Sequence, residues 1–192
     1  LGRSIAQRRP VRTILVEAIP RTLLLMASAL GVAFALGVAA GAWQAARAGS
    51  RLDRIAGRVS VALSALPEFW LALALLFLFG LRLRWFPVSG MVDPTLHEYL
   101  SPGGRLRDIA AHLVLPAASI ALILGAVVAR YQRQAMVDIL PDDFVRTARA
   151  KGVREHFVVM RHALRNALLP TITLMGLALP ALVGGSVFIE SI

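Results

Sequence analysis

Four long apolar blocks set the pattern of this chain. Residues 22–46, 113–129 and 167–189 contain no charged side chain, and residues 59–81 contain one, Glu68. A helix needs about 20 apolar residues to cross a ~30 Å hydrocarbon core, so each block is long enough to span a bilayer or nearly so. Within lipid only helices and closed barrels satisfy their own backbone, and these runs are too long and too uniformly apolar for barrel strands. The pattern predicts an all-α, polytopic membrane protein. Its four spanning helices lie at about residues 22–46, 59–81, 113–130 and 167–190, in one membrane domain over residues 1–192, with a polar loop at 131–166.

Each block has its own irregularities. The first carries Gly37 and Gly41, four residues apart, and a second stripe of small residues at Gly31, Ala35 and Ala39; such spacing lets helix backbones approach closely. The second carries Pro67 and Glu68 near its middle, which predicts a kink. An acid inside a span is costly and normally faces protein or water. Glu68 is therefore either a lining residue of a solute path or an acid paired at the kink. The fourth block is interrupted by Pro170, Pro180, Gly184 and Gly185, and irregular backbone at membrane depth is tolerated where it lines a cavity. Glu68, Phe69, Pro180, Gly184 and Gly185 are the candidate path residues. Ahead of the first block, Pro10 and Pro20 bracket a short interfacial helix over 12–19 as breakers. His97 and His112 lack partners at metal-ligand spacing and read as ordinary loop residues.

Composition agrees with this picture. The chain is 57% hydrophobic with a mean hydropathy of +0.69, against about 45–50% apolar in soluble domains. A net charge of +10 would suggest nucleic acid in a soluble protein. Here no basic patch is interleaved with aromatics, and the arginines sit between apolar blocks, where they meet lipid headgroups; no nucleic-acid partner is expected. Counted by loop, twelve basic residues follow the first and third blocks and nine lie on the other side, which makes the first set cytoplasmic by the positive-inside rule. With no cysteine, disulfides and thiolate metal sites are excluded, and no metal or cofactor is expected. The chain starts at Leu1 and stops at Ile192 directly after an apolar run, so both ends are expected to be cuts through a longer protein.

The loop 131–166 predicts three short helices. The first continues the third span to Leu140, where Pro141 breaks it. Asp142 or Asp143 can cap the next turn, and a two-turn helix over 144–151 ends at Gly152, which takes the left-handed conformation cheaply. A third helix over 155–168 places Phe157, Met160, Leu164 and Leu168 on one face. A short helix held below the membrane by two longer ones forms a knob that can seat in a partner's groove.

The residues of this knob, Asp143-Phe144-Val145-Arg146-Thr147-Ala148-Arg149-Ala150-Lys151-Gly152, and the later run Arg161-His162-Ala163-Leu164-Arg165-Asn166-Ala167-Leu168-Leu169-Pro170 carry a resemblance. They resemble the cytoplasmic signature of permease subunits of binding-protein-dependent ABC importers, usually Glu-Ala-Ala, three residues, Gly. Arg146 stands where the general signature has Glu, and Arg165 where it has Pro. Both departures are typical of the dipeptide, oligopeptide and nickel branch. Leu1-Gly2-Arg3-Ser4, Pro67-Glu68-Phe69-Trp70-Leu71 and Trp85-Phe86-Pro87-Val88-Ser89-Gly90 look like that branch too, so the resemblance covers essentially the whole chain. It implies a six-span inner-membrane permease with one span before Leu1 and one after Ile192. Residues 143–152 would be the coupling helix, and Arg161, His162, Arg165 and Asn166 would belong to a second cytoplasmic helix. Implied partners are cytoplasmic ATP-binding subunits, a second homologous permease subunit, an extracytoplasmic solute-binding protein and membrane lipid. The solute would be a peptide or a related small molecule such as a nickel chelate. No phosphate-binding Gly-rich loop of the Gly-x-x-x-x-Gly-Lys-Ser/Thr kind is present, so the chain is expected to be a transport subunit and not an enzyme. The alternative, an ion-coupled secondary transporter, would need more intramembrane charge than Glu68 and an internal repeat.

Overall fold

A computed structural model describes residue 2 and residues 9–190, with side chains as far as residue 177. Helices account for the order α1 Val11–Ala45, α2 Arg51–Ser64, α3 Glu68–Leu75, α4 Pro102–Ile139, α5 Asp143–Ala150, α6 Glu155–Phe157 and α7 Leu164–Glu190. A π-helical stretch Leu76–Arg82 extends α3, a second one Val158–Ala163 joins α6 to α7, and a 3₁₀ turn His97–Tyr99 lies in the loop before α4. No strand occurs among the described residues, so the fold is all-α. Two helices, α1 and α4, are long and apolar enough to cross a membrane, and α2 with α3 passes as a third only if the bent pair is taken together. The fourth expected span falls in α7, part of which lies outside the described side chains.

The core of the bundle is the α1–α4 seam. On α1 the residues Ala29, Ala33, Gly37, Gly41 and Ala45 recur every four positions and are all buried. Opposite them lie Ala117, Ala121, Gly125 and Ala129 of α4 with the same repeat. A methyl group at Gly37 would come within 2.7 Å of the Val128 side chain and 2.8 Å of the Gly125 carbonyl oxygen, and one at Gly41 within 2.5 Å of the Ala129 carbonyl oxygen. Backbone cannot step aside as a side chain can, so glycine is required at Gly41. The second stripe is different: Gly31 has nothing within 4 Å of its Cβ position. Gly41→Ala in the full-length protein should therefore cost about 1–3 kcal/mol of overpacking, seen as a lower thermal midpoint in detergent. Gly31→Ala should be neutral or stabilise the protein by up to about 1 kcal/mol, leaving the midpoint unchanged or higher. Equal midpoints for the two would refute the seam.

Three expectations about element boundaries need correction. Pro20 does not break the chain: α1 runs through it from Val11. Proline removes one bond, to the carbonyl of Val16, and Val16 is 65% exposed, on a side where water or headgroups can take that carbonyl. The kink at Pro67 is a 100° break. The helix before it begins at Arg51, capped by Ser50, whose Oγ accepts from the Asp53 amide at 3.1 Å. The helices expected at 155–168 and 167–190 are one rod, because Pro170 sits on its exposed side. The apolar face placed at Phe157, Met160, Leu164 and Leu168 is not the fully buried one. Phe157 and Met160 are exposed, while Val158, Ala163 and Ala167 are fully buried. The step from Val158 to Ala163 is five residues, the π-helical spacing, which turns the buried stripe to a face that 3.6-residue periodicity does not give.

Candidate functional site

The end of α4 and the start of α6 carry α5 between them. After Ile139 the chain turns at Leu140 and Pro141, and the Asp142 carbonyl accepts the amides of Val145 and Arg146, both at 3.0 Å. Neither Asp142 nor Asp143 caps through its side chain: Asp142 makes no capping bond, and Asp143 turns out to an exposed 3.5 Å ion pair with Arg146. Both carboxylates still sit at the positive end of the helix dipole. At the other end the Gly152 amide donates to Arg149 (2.9 Å) and the Val153 amide to Ala148 (3.3 Å). With Gly152 at φ +77°, this is the Schellman closure that glycine favours.

Only two α5 side chains point inward. Val145 is fully buried and Ala148 nearly so, within a cluster formed by Ala42 and Ala45 of α1, Met136 of α4, and Val158, Ala163 and Ala167. Phe144, Arg146, Thr147, Ala150 and Lys151 face outward, with the Thr147 Oγ1 donating to the Asp143 carbonyl at 2.8 Å. Arg149 braces the knob on both sides. It donates to the Leu140 carbonyl (3.3 Å) at the end of α4 and to both carboxylate oxygens of Glu155 (3.1 and 2.8 Å) at the start of α6. Its hydrogen bonds hold the Glu155 carboxyl below the usual carboxylate range. That depressed value makes the brace complete at neutral pH and lost as pH falls through the folded value, although both side chains are exposed and the contribution is small.

Of the remaining candidate residues, Arg161 and Arg165 stand exposed, and the Asn166 Nδ2 donates to the His162 carbonyl at 3.2 Å. Among the described residues, the polar side chains of this helix form no hydrogen bond or ion pair with α5 other than Arg149–Glu155; the two pieces meet through Val145, Ala148, Val158 and Ala163. Glu68 opens α3 at the break, forms no hydrogen bond or ion pair among the described residues, and neighbours Phe69, which is more than half exposed. Pro180, Gly184 and Gly185 lie in the part of α7 outside the described side chains, and Leu1, Arg3 and Ser4 lie outside the described residues. A cavity of about 510 Å³ opens near the start of α1 and α4, lined by Glu17, Arg21, Ala72, Leu76, Val88 and His112 among others, and neither Glu68 nor Phe69 lines it.

Sequence reasoning missed three polar features. Asp53, 4% exposed, accepts from Arg133 Nε and Nη2 at 2.6 and 2.7 Å, and from the Gly49 amide at 2.9 Å. The Thr171 hydroxyl of α7 donates to Gln132 Oε1 of α4 at 2.7 Å in a fully buried position. His97 and His112 are not lone loop residues: both meet the Asp108 carboxylate, at 2.6 and 3.2 Å, and His112 lies in α4. The Asp108–His112 spacing of four was the one available signal; the other pairs are long-range. No metal-binding group of three occurs among the described residues.

Comparison with known proteins gives a consistent result. The family model of the binding-protein-dependent transport system inner membrane component matches residues 33–192. A putative peptide permease protein of Brucella suis biovar 1 (strain 1330) is 40% identical over all of this chain and 59% of its own length. An oligopeptide transport system permease protein of Bacillus subtilis (strain 168) is 38% identical over all of the chain and 59% of its own. A glutathione transport system permease protein of Escherichia coli O6:H1 is 35% identical, again over the whole chain and 58% of the relative. The chain thus spans about three fifths of the length of the curated relatives it matches.

Proposed function

This chain belongs to the family of binding-protein-dependent transport system inner membrane components, and from that premise we propose that it forms part of the permease of an ATP-driven peptide importer in the bacterial inner membrane. The observation that carries the reading is α5: a short helix with one inward edge, closed by Gly152 and packed between the ends of two long helices. Cytoplasmic ATP-binding subunits dock on its outward side, where Phe144, Arg146, Thr147, Ala150 and Lys151 are presented, while Asp143 and Arg149 shape its two ends. Val145 and Ala148 tie it to α4, α7 and the end of α1. Nucleotide-driven closure of the motor therefore moves those helices together, in place of a loop yielding alone. Arg161, His162, Arg165 and Asn166 form the flank of the same surface. The relatives, which are named for peptides, oligopeptides and glutathione, support a peptide solute. An extracytoplasmic binding protein delivers it, and a second, homologous permease subunit completes the path, to which Glu68, Phe69 and the Pro180–Gly185 region of this chain contribute.

Single cysteines test the docking surface. In the full-length protein purified with its ATP-binding partner, Phe144→Cys and Lys151→Cys should cross-link to that partner, with a yield that changes on adding ATP. Tyr99→Cys, equally accessible at 87% exposure but in the loop before α4, should not. Absence of cross-links at both knob positions, or equal yield from position 99, would remove the docking assignment. Labelled-tripeptide uptake into proteoliposomes that requires ATP inside the vesicle's cytoplasmic side checks the transport reading independently.

A further inference from the structure

The helix α2 has three distinct faces. Its back, Asp53 and Ser60, is buried. Its outer side is divided lengthwise. Leu52, Ile55 and Val59 form one flank, each more than half exposed, and Arg51, Arg54 and Arg58 form the other, all exposed. At 100° per residue the two stripes lie about 100° apart on the outer surface, so neither is a continuation of the buried face.

Two contacts tie α2 to α4. Asp53 near its start meets Arg133, and Ser64 at its end accepts from Arg130 Nη1 at 3.2 Å. The direction of α2 is set by the bend that follows it: its axis stands at 100° to the helical segment Glu68–Arg82. Where that segment runs across the bilayer, α2 lies nearly in its plane, at the level of Arg130 and Arg133. A helix lying in that plane, apolar along one flank and cationic along the other, has the form of an interfacial helix.

We infer that α2 is a binding site for anionic phospholipid headgroups of the leaflet that faces α5, with Leu52, Ile55 and Val59 set in the acyl region and Arg51, Arg54 and Arg58 on the phosphates. Arg47, stacked over the Trp43 ring at 4.8 Å, extends the cationic flank to the end of α1. The occupant is lipid on grounds of charge and form together. A soluble anion would use the arginines and leave the apolar flank in water, and a protein groove would have to match both flanks at once. Because Asp53 pins the back of α2 to α4, the bound headgroups also fix the height of the α4 end that leads into α5. The placement of this leaflet on the cytoplasmic side rests on the transport reading above; the lipid site itself does not.

The test uses the full-length protein with its partner subunits, in nanodiscs of phosphatidylcholine containing increasing phosphatidylglycerol, followed by gentle detergent extraction and native mass spectrometry of retained lipid. Phosphatidylglycerol should be retained over phosphatidylcholine, and the triple variant Arg51→Gln, Arg54→Gln, Arg58→Gln should lower that preference at least about fivefold, the scale of a single arginine at an anionic surface. Arg82→Gln with Arg84→Gln, at the far end of α3, should leave it unchanged. A preference that persists when peptide-stimulated ATP hydrolysis is absent supports the lipid site while removing the transport reading. Equal retention of the two lipids, or an unchanged preference in the triple variant, overturns the proposal. So does a triple variant that loses the ATP-binding partner at unchanged lipid retention, which would make α2 a protein-docking surface.

Discussion

Ala148→Asp in the full-length protein should abolish solute-stimulated ATP hydrolysis while basal hydrolysis by the partner and insertion of the spans persist. An isolated helix of eight residues is far below the length at which helices hold in water, so α5 depends on its anchors. There are two, Val145 and Ala148, and Ala148 lies within the cluster of Met136, Val158 and Ala163 with 6% of its surface exposed. Among the described residues the cluster and its packing neighbours hold no cation, and Arg149 of α5 is held by Leu140 and Glu155. A carboxylate there loses several kcal/mol of hydration without a partner, and the cheaper outcome is that α5 lifts off, leaving the motor pushing a detached loop. Ala148→Ser, small and able to bond the carbonyl one turn back, should keep most of the stimulation. Position 152 gives a graded check on the same element. Its φ of +77° costs a β-branched residue about 1–2 kcal/mol, so Gly152→Val should impair stimulation and Gly152→Asn much less. Ala148→Asp with wild-type stimulation, or a Val and Asn pair that cannot be told apart, would show that α5 does not transmit the push.

The knob was legible because its signals are local. Pro141 stops α4, the acids at 142 and 143 mark a helix start, and Gly152 marks the stop; each acts within a turn of itself. Fold class was legible for a similar reason, since the absence of charge over 17 to 25 consecutive residues leaves few alternatives in lipid. What the chain hides is direction. Residues 59–64 are apolar enough to be counted with 68–81 as one span, yet they end an amphipathic helix that starts at Arg51 and stands at 100° to the segment after Pro67. Apolar run length measures transfer to lipid and says nothing of the angle at Pro67. The buried face of the helix from α6 into α7 was not legible because one π-helical turn between Val158 and Ala163 shifts the phase, and no residue there advertises it. Pro20 was read as a stop because proline usually is one in water; at the edge of a spanning helix one free carbonyl on an exposed side is tolerated. The transport path drew on Pro180, Gly184 and Gly185, where spacing alone gives no neighbour.

Arg133→Met should destabilise the protein more than Asp53→Asn, although the two remove the same ion pair. The pair is asymmetric: the Asp53 side chain is 4% exposed and the Arg133 side chain 30%. Once Arg133 is gone, the Asp53 carboxylate stays buried with the Gly49 amide as its remaining donor. Leaving a buried charge uncompensated costs about 3–5 kcal/mol. Once Asp53 is neutral, Arg133 can turn its exposed part to water or a headgroup, and the loss is nearer that of a charged hydrogen bond, about 1.5–3 kcal/mol. The double variant should be more stable than Arg133→Met alone, since the neutral amide needs no counter-charge. Thermal unfolding of the four proteins in nanodiscs gives the cycle, and the interaction term should be large because the groups share two short bonds. The functional consequence follows from position. Asp53 fixes α2 to α4 two turns above Leu140, where α4 gives way to α5, so loosening it should lower solute-stimulated hydrolysis in the order Arg133→Met, then Asp53→Asn. If the two single variants cost the same, and their costs simply add, the pair is an exposed contact and α2 is not held to the lever through it.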